Sequence, residues 1–212
     1  MLPEGAVRIL FTKTGKIKYI SHLDLSRTVK TAFIRAGIPV WYTEGFNPRP
    51  KMVFGLTVSV GSESLCEFLD IRITKPMEEK DFIERLSGAL TSDVSIMDVY
   101  VPSTKLTDIA FSSYVVSSDV PFESRDVEEL MKAPIIVSKH GKKGNIDTDI
   151  RPMIDSIEIV DGTLHLMLTA SQEKYLNPEY VMKGLNAATD NRYDFYRITR
   201  TGVFFSDKTP FR

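Results

Sequence analysis

The chain has 212 residues, 42% hydrophobic and 26% charged, room for one large domain or two of about 100 residues each. These are globular values, and they exclude a disordered tail, a collagen-like rod and a protein that crosses a membrane by a helix, since no apolar run approaches ~18 residues. A single cysteine, Cys66, excludes an internal disulfide and any zinc or iron–sulfur cluster held by this chain alone. The opening Met1-Leu2-Pro3-Glu4-Gly5 has neither a basic nor an apolar leader region, so the expectation is a soluble, cytoplasmic, mixed α/β protein.

The net charge of −1 conceals an asymmetry. Residues 6–60 carry nine basic side chains against two acidic, Asp24 and Glu44. Residues 61–133 carry seven basic against fifteen acidic, and residues 134–212 eleven against ten. A basic surface collects phosphates or an acidic partner if the segregation survives folding. Lys16, Lys18, Arg27, Lys30, Arg49 and Lys51 are expected to share one positive face.

The first half reads β-α-β-β-α-β. Val7, Ile9 and Phe11 alternate with polar neighbours as in a half-buried strand. Ser21 and Asp24 have the spacing of a capping box. Leu25, Val29, Phe33 and Ala36 follow at helical spacing until Gly37. Extended structure is expected over Ile38–Tyr42. Strict alternation over Met52–Val60 and Leu69–Ile73 predicts two further strands with Gly61-Ser62-Glu63-Ser64 as their turn. A second helix carries Phe82, Ile83, Leu86 and Leu90, and a strand over Val94–Val101 closes the unit.

The second half repeats the outline more loosely. Strands are expected over Ile109–Val116 and Pro134–Ser138, with a short helix, Val127–Met131, between them. A polar stretch from Lys139 to Thr148 breaks the pattern. Asp161-Gly162 is the dipeptide of a tight hairpin turn between Ile157–Val160 and Leu164–Leu168. Asn177 and Pro178 start a helix, and Phe195–Phe205 is the last strand. The expected fold is α+β, two tandem ferredoxin-like units over 1–103 and 104–212, the second more irregular.

The most unusual segment is Glu44-Gly45-Phe46-Asn47-Pro48-Arg49-Pro50-Lys51. Two prolines remove two amide donors, so it is a stiff loop and not an interior strand. Phe46, Asn47, Arg49 and Lys51 are its candidate binding residues, lining a concave site with the first turn of the helix over 21–36; the rival reading is that Glu44 neutralises Lys51 and the loop only closes the core. Trp41 and Tyr42 alternate faces, which suits one for stacking on a base while the other packs inward, and a half-buried strand explains both equally well. Arg27 and Arg151 are further candidates for an anion, Arg151 either through a bidentate grip or held instead in an internal contact with Asp149 or with backbone. His22 is the candidate catalytic residue, although a structural role weighs more. It sits about 200° around the helix from Asp24, too far for a shared metal. Lys139 to Asn145 resembles a phosphate-handling loop in composition and lacks the Walker A spacing. Cys66 reads as a packed thiol.

Lys13-x-Gly15, Tyr19 to Leu25 with Arg27, Ala36 to Pro39, and Glu44 to Lys51 with Phe54-Gly55 together resemble one family. Leu69-Asp70-Ile71, Asp149-Ile150-Arg151-Pro152 and Arg200-Thr201-Gly202 extend the likeness over nearly the whole chain. This is the radical SAM-linked protein family, an uncharacterised bacterial domain fused to, or encoded beside, a radical SAM protein with a cobalamin-binding region. Members often carry histidine where this chain has Arg49, so no metal or proton-transfer role is required there. The resemblance implies a separate partner that carries the iron–sulfur cluster, S-adenosylmethionine and cobalamin, with no cofactor in this chain. The leading function is an accessory protein that binds RNA or a nucleotide-like substrate. The alternatives are a metal-independent RNA-processing enzyme and a protein–protein adaptor. No complete catalytic motif decides whether the chain is an enzyme.

Overall fold

The computed structural model describes residues 1–141 and 144–212. The chain divides into two compact units, Met1–Asp108 with Arg212, and Ile109–Phe211. Among the described residues, no helix is long and apolar enough to cross a membrane.

The first unit runs β1 (Gly5–Lys13), α1 (His22–Ala36), β2 (Val53–Phe54), β3 (Glu63–Ile73), α2 (Glu79–Ala89) and β4 (Ile96–Tyr100). Its strands pair antiparallel in the order β4-β1-β3-β2. The register sets Val7 opposite Ile71 and Ile9 opposite Leu69, which brings the alternating apolar residues of both strands to one face. Leu25, Val29, Ala32 and Phe33 of α1 and Phe82 and Leu86 of α2 are buried against that face, while Ala36 is partly buried. Each of the buried leucine, valine and phenylalanine side chains contributes roughly 1.5–3 kcal/mol on burial.

Local chemistry sets the limits of α1. The Ser21 hydroxyl accepts the Asp24 N–H at 3.1 Å and donates to the Asp24 carboxylate at 2.7 Å. The carboxylate therefore meets the cap hydroxyl, where the capping-box pattern had it returning to the cap amide. Gly37 ends the helix in the left-handed conformation at φ 61°, which costs glycine nothing.

Two expected strands shrink. Ile38–Tyr42 makes only isolated pairings, Val40 with Ile73 and Tyr42 with Pro50. Of Met52–Val60, only Val53–Phe54 forms a strand. Gly55 still donates to the Phe68 carbonyl at 2.8 Å, but Gly61 donates to the Lys18 carbonyl instead, so the chain leaves the sheet between them. Alternation describes side-chain faces; it does not supply a partner for the backbone.

The second unit runs β5 (Phe111–Ser118), α3 (Ser124–Met131), β6 (Ile136–Gly141), β7 (Gly144–Asp149), β8 (Ile154–Val160), β9 (Thr163–Thr169), α4 (Pro178–Ala188) and β10 (Tyr196–Phe204). Its antiparallel sheet has the order β10-β5-β9-β8. The strand expected at Pro134–Ser138 is not part of that sheet. It is one arm of a separate hairpin, β6 with β7, and the polar stretch after it supplies the other arm. Lys142 and Lys143 of the basic loop lie outside the described residues. The hairpin seats on α4 at Gly184, where an added Cβ would stand 2.7 Å from Ile135 Cγ2. Asp161 and Gly162 take φ of 50° and 74°, the tight turn their sequence predicts.

Candidate functional site

A cavity of about 490 Å³ lies in the first unit between α1 and the segment that follows it. Ser26 and Lys30, four residues and so one turn apart, form the α1 wall. Trp41, Thr43, Arg49 and Lys51 form the facing wall, with Pro50 and Met52 beside them.

The facing wall is a small irregular hairpin arm. Thr43 N–H donates to the Arg49 carbonyl at 2.8 Å, and Lys51 N–H donates to the Trp41 carbonyl at 3.2 Å. Arg49 N–H adds a bond to Thr43 Oγ1 at 3.2 Å. Trp41 N–H donates to the Arg72 carbonyl at 2.7 Å, which hangs the arm on β3. Pro50 stands opposite Tyr42, a position where its missing N–H costs no ladder bond. Alternation along both limbs then turns Trp41, Thr43, Arg49 and Lys51 to the same side.

The cavity is electropositive. None of the lining residues is a carboxylate, and Lys30, Arg49 and Lys51 make no ion pair among the described residues. Glu44, the one carboxylate of the arm, does not neutralise Lys51. Uncompensated cations in a concave wall focus the field and raise the local concentration of anions. Trp41, half-buried and the only tryptophan of the chain, presents the aromatic surface.

The structure separates residues that the sequence grouped. Arg49 and Lys51 line the cavity, but Phe46 and Asn47 do not. They sit exposed at the tip of the arm, because the Thr43–Arg49 bond closes the hairpin beneath them and Gly45 turns the chain at φ 126°. Arg27 is on another flank of α1, where Nη1 donates to Asp24 Oδ1 at 3.0 Å. The Ser21 hydroxyl first, and Arg27 second, hold the Asp24 carboxyl below its ordinary range. Lys18 is paired with Glu63 at 2.9 Å. Lys16 does not line the cavity either, so three of the six cations expected on one face, Lys30, Arg49 and Lys51, surround it.

His22 stands one turn before Ser26 on the same ridge of α1 and is not a lining residue. Its ring meets Phe54 edge-on, centroids 4.9 Å apart, and Phe54 in turn meets the buried Phe11. Arg151 belongs to the second unit. Asp149 Oδ1 accepts the Ile135 N–H at 2.9 Å and the Arg151 N–H at 3.0 Å, so the Asp149-to-Pro152 motif ties the base of the hairpin. Ser26, Thr43 and Met52 were not singled out from sequence. Ser26 and Lys30 recur at four-residue spacing from His22, a signal that becomes informative only once the arm is known to lie alongside.

The chain belongs to a family described as an uncharacterized protein conserved in bacteria (DUF2344), whose model matches residues 6–178. No curated protein matches it. Among solved structures, a DypB variant from Rhodococcus jostii in complex with heme is 13% identical, covering 95% of this chain and 92% of that one with a TM-score of 0.21. A second crystal form of DyPB from the same organism is 12% identical, covering 96% and 92% with a TM-score of 0.19.

Proposed function

We propose that the cavity binds a nucleotide unit of RNA, and that the chain is the substrate-binding accessory protein of a separate radical SAM enzyme. The observation that carries the binding reading is the set of three cations without counter-charge, Lys30, Arg49 and Lys51, around Trp41. An indole face takes a base by stacking, worth about 1–3 kcal/mol, and the cations neutralise its phosphate. A free inorganic anion would leave the aromatic wall unused, and an apolar ligand would leave the charges unmet.

The accessory role is supported by the resemblance of the N-terminal motifs between Lys13 and Gly55 to those of radical SAM-linked proteins. It is supported also by the cysteine arithmetic, since a radical SAM cluster takes three thiolates and this chain has one, buried in β3. In this reading the partner carries the iron–sulfur cluster, S-adenosylmethionine and cobalamin, and works with this chain in the cytoplasm. Each unit is read as ferredoxin-like, on its β-α-β-β-α-β order and its strand order, with β6–β7 an insertion in the second.

Because Trp41 is the only tryptophan, intrinsic fluorescence reports on this cavity directly. Titration with adenosine 5′-monophosphate is expected to quench or shift Trp41 emission saturably. Arg49→Ala/Lys51→Ala is expected to weaken that response at least tenfold with an unchanged melt, as both side chains are exposed. An unresponsive Trp41, or a double variant that binds equally well, overturns the binding reading. Affinity purification of the chain from native cells tests the partner, and recovery without a radical SAM protein removes that half.

A further inference from the structure

On the flank of α1 away from the cavity, a second concavity runs between α1 and α2. It consists of two contiguous grooves, about 290 and 340 Å³, that share Arg35 and Ala89. Arg27, Thr31 and Arg35 recur every four residues on its α1 side and so form one row. Arg85 of α2 and Thr91 just beyond it also line the grooves. The lining includes three arginines and no carboxylate.

Arg35 makes no ion pair among the described residues. Arg27 and Arg85 each engage one exposed carboxylate of their own helix, Asp24 and Asp81, through a single nitrogen. Exposed pairs of that kind are weak, so a phosphate displaces them at little cost. The floor is open at Gly88, where an added Cβ meets nothing within 4 Å.

Only the crest of α1 separates this groove from the cavity, with Leu23 and Ile34 exposed along it. A helix with its side chains is about 10–12 Å across. A stacked strand advances ~3.4 Å per nucleotide, so roughly three or four nucleotides reach from one concavity to the other.

We infer that the chain binds single-stranded RNA as a polymer, one base against Trp41 and the following phosphates led over α1 into the arginine groove. The inference rests on the nucleotide reading of the cavity and adds the form of the ligand, a strand and not a free nucleotide. Guanidinium groups in a row match phosphates along a backbone, and the threonine hydroxyls donate to phosphate or ribose oxygens. An acidic polypeptide meets the arginines but brings no base to the indole.

The test uses the full chain with adenosine 5′-monophosphate, tri- and hexa-adenylate, read by Trp41 emission and by anisotropy of an end-labelled hexanucleotide. The hexanucleotide is expected to bind at least tenfold tighter than the mononucleotide. Arg35→Ala and Gly88→Glu are each expected to weaken the hexanucleotide severalfold, to reduce its log–log salt slope by ~0.7 for each phosphate no longer neutralised, and to leave the mononucleotide unchanged. Gly88→Glu places a carboxylate in the groove without a clash, and an unchanged melt confirms that both variants fold. If the mononucleotide shifts Trp41 emission but the hexanucleotide binds no tighter, or the groove variants bind it normally, the path fails and the cavity reading stands. If the labelled hexanucleotide binds and Trp41 stays silent, the cavity reading fails and the path with it. Equal binding of poly-glutamate in competition overturns RNA as the occupant.

Discussion

Arg8 and Asp70 face each other across β1 and β3 and join through two parallel bonds, Nε to Oδ1 at 2.7 Å and Nη2 to Oδ2 at 2.8 Å. The arginine is fully buried and the aspartate about a quarter exposed. Nη1 also donates to Thr104 Oγ1 at 2.8 Å, which pins the chain beyond β4 to the sheet. Two charges alternating with the core residues of their strands thus have a structural role. Asp70→Ala removes the carboxylate that balances a buried guanidinium and is expected to cost about 3–5 kcal/mol in urea unfolding. Arg8→Met/Asp70→Leu is expected to recover most of that loss, since no uncompensated charge remains.

Gly15 explains the first block of the sequence. It adopts φ 56°, and an added Cβ would stand 2.6 Å from Asp93 Oδ1, whose partner oxygen Oδ2 accepts the Lys16 N–H at 2.9 Å. Gly15→Ala is expected to cost about 1–3 kcal/mol by thermal melting. Adding Asp93→Ala removes the clash but not the backbone strain, so only part of the stability is expected to return.

The α1 cap is testable alone. Ser21→Ala removes the acceptor for the Asp24 N–H and is expected to lower stability by about 1 kcal/mol, visible in the melt. Ser21→Asn restores an acceptor at that position and is expected to recover most of it. A melt that does not move in Ser21→Ala contradicts the cap.

Alkaline pH probes the second unit. Burial, and then the hydrogen bond to Asp126, push the Tyr193 phenol up to about 12. A group raised above its unfolded value of about 10 contributes fully below pH ~10 and loses its contribution as pH rises through about 12. Stability is therefore expected to fall across that window, and Tyr193→Phe to fall less steeply. Tyr196, bonded to Glu179 at 2.7 Å, moves in the same direction, so the flattening is partial. At neutral pH, Tyr193→Phe is expected to cost about 1–2 kcal/mol, because Asp126 loses its donor.

The exposed tip of the arm separates binding from folding. Phe46→Ala is expected to leave the melt within about 0.5 kcal/mol of the parent, since the ring packs on nothing. If a neighbouring base of a bound strand stacks there, the variant loses about 1–3 kcal/mol of hexanucleotide affinity in the anisotropy titration.

The elements were legible wherever their cause is local. The stripe of α1, its Gly37 stop, the Asp161-Gly162 turn and the Asn177 cap with Pro178 each depend on residues within a few positions of one another. Composition and the single cysteine likewise bounded the chemistry without a structure. Partnership was not legible. Whether Met52–Val60 stays in a sheet depends on which distant carbonyl receives Gly61, and whether β6 joins the main sheet depends on the hairpin that β7 offers it.

The site divides the same way. The prolines and cations of the 44–51 segment mark it as a stiff, basic arm from sequence alone. Only the tertiary structure decides that Arg49 and Lys51 turn toward Ser26 and Lys30, that Phe46 and Asn47 stay outside, and that Arg27 falls on the other flank of α1. Charge in a sequence adds up along the chain, but a field at a ligand depends on distance and on which counter-charges fold beside it. Glu63 takes up Lys18, Arg27 falls on the other flank of α1, and Lys30, Arg49 and Lys51 are left to the cavity.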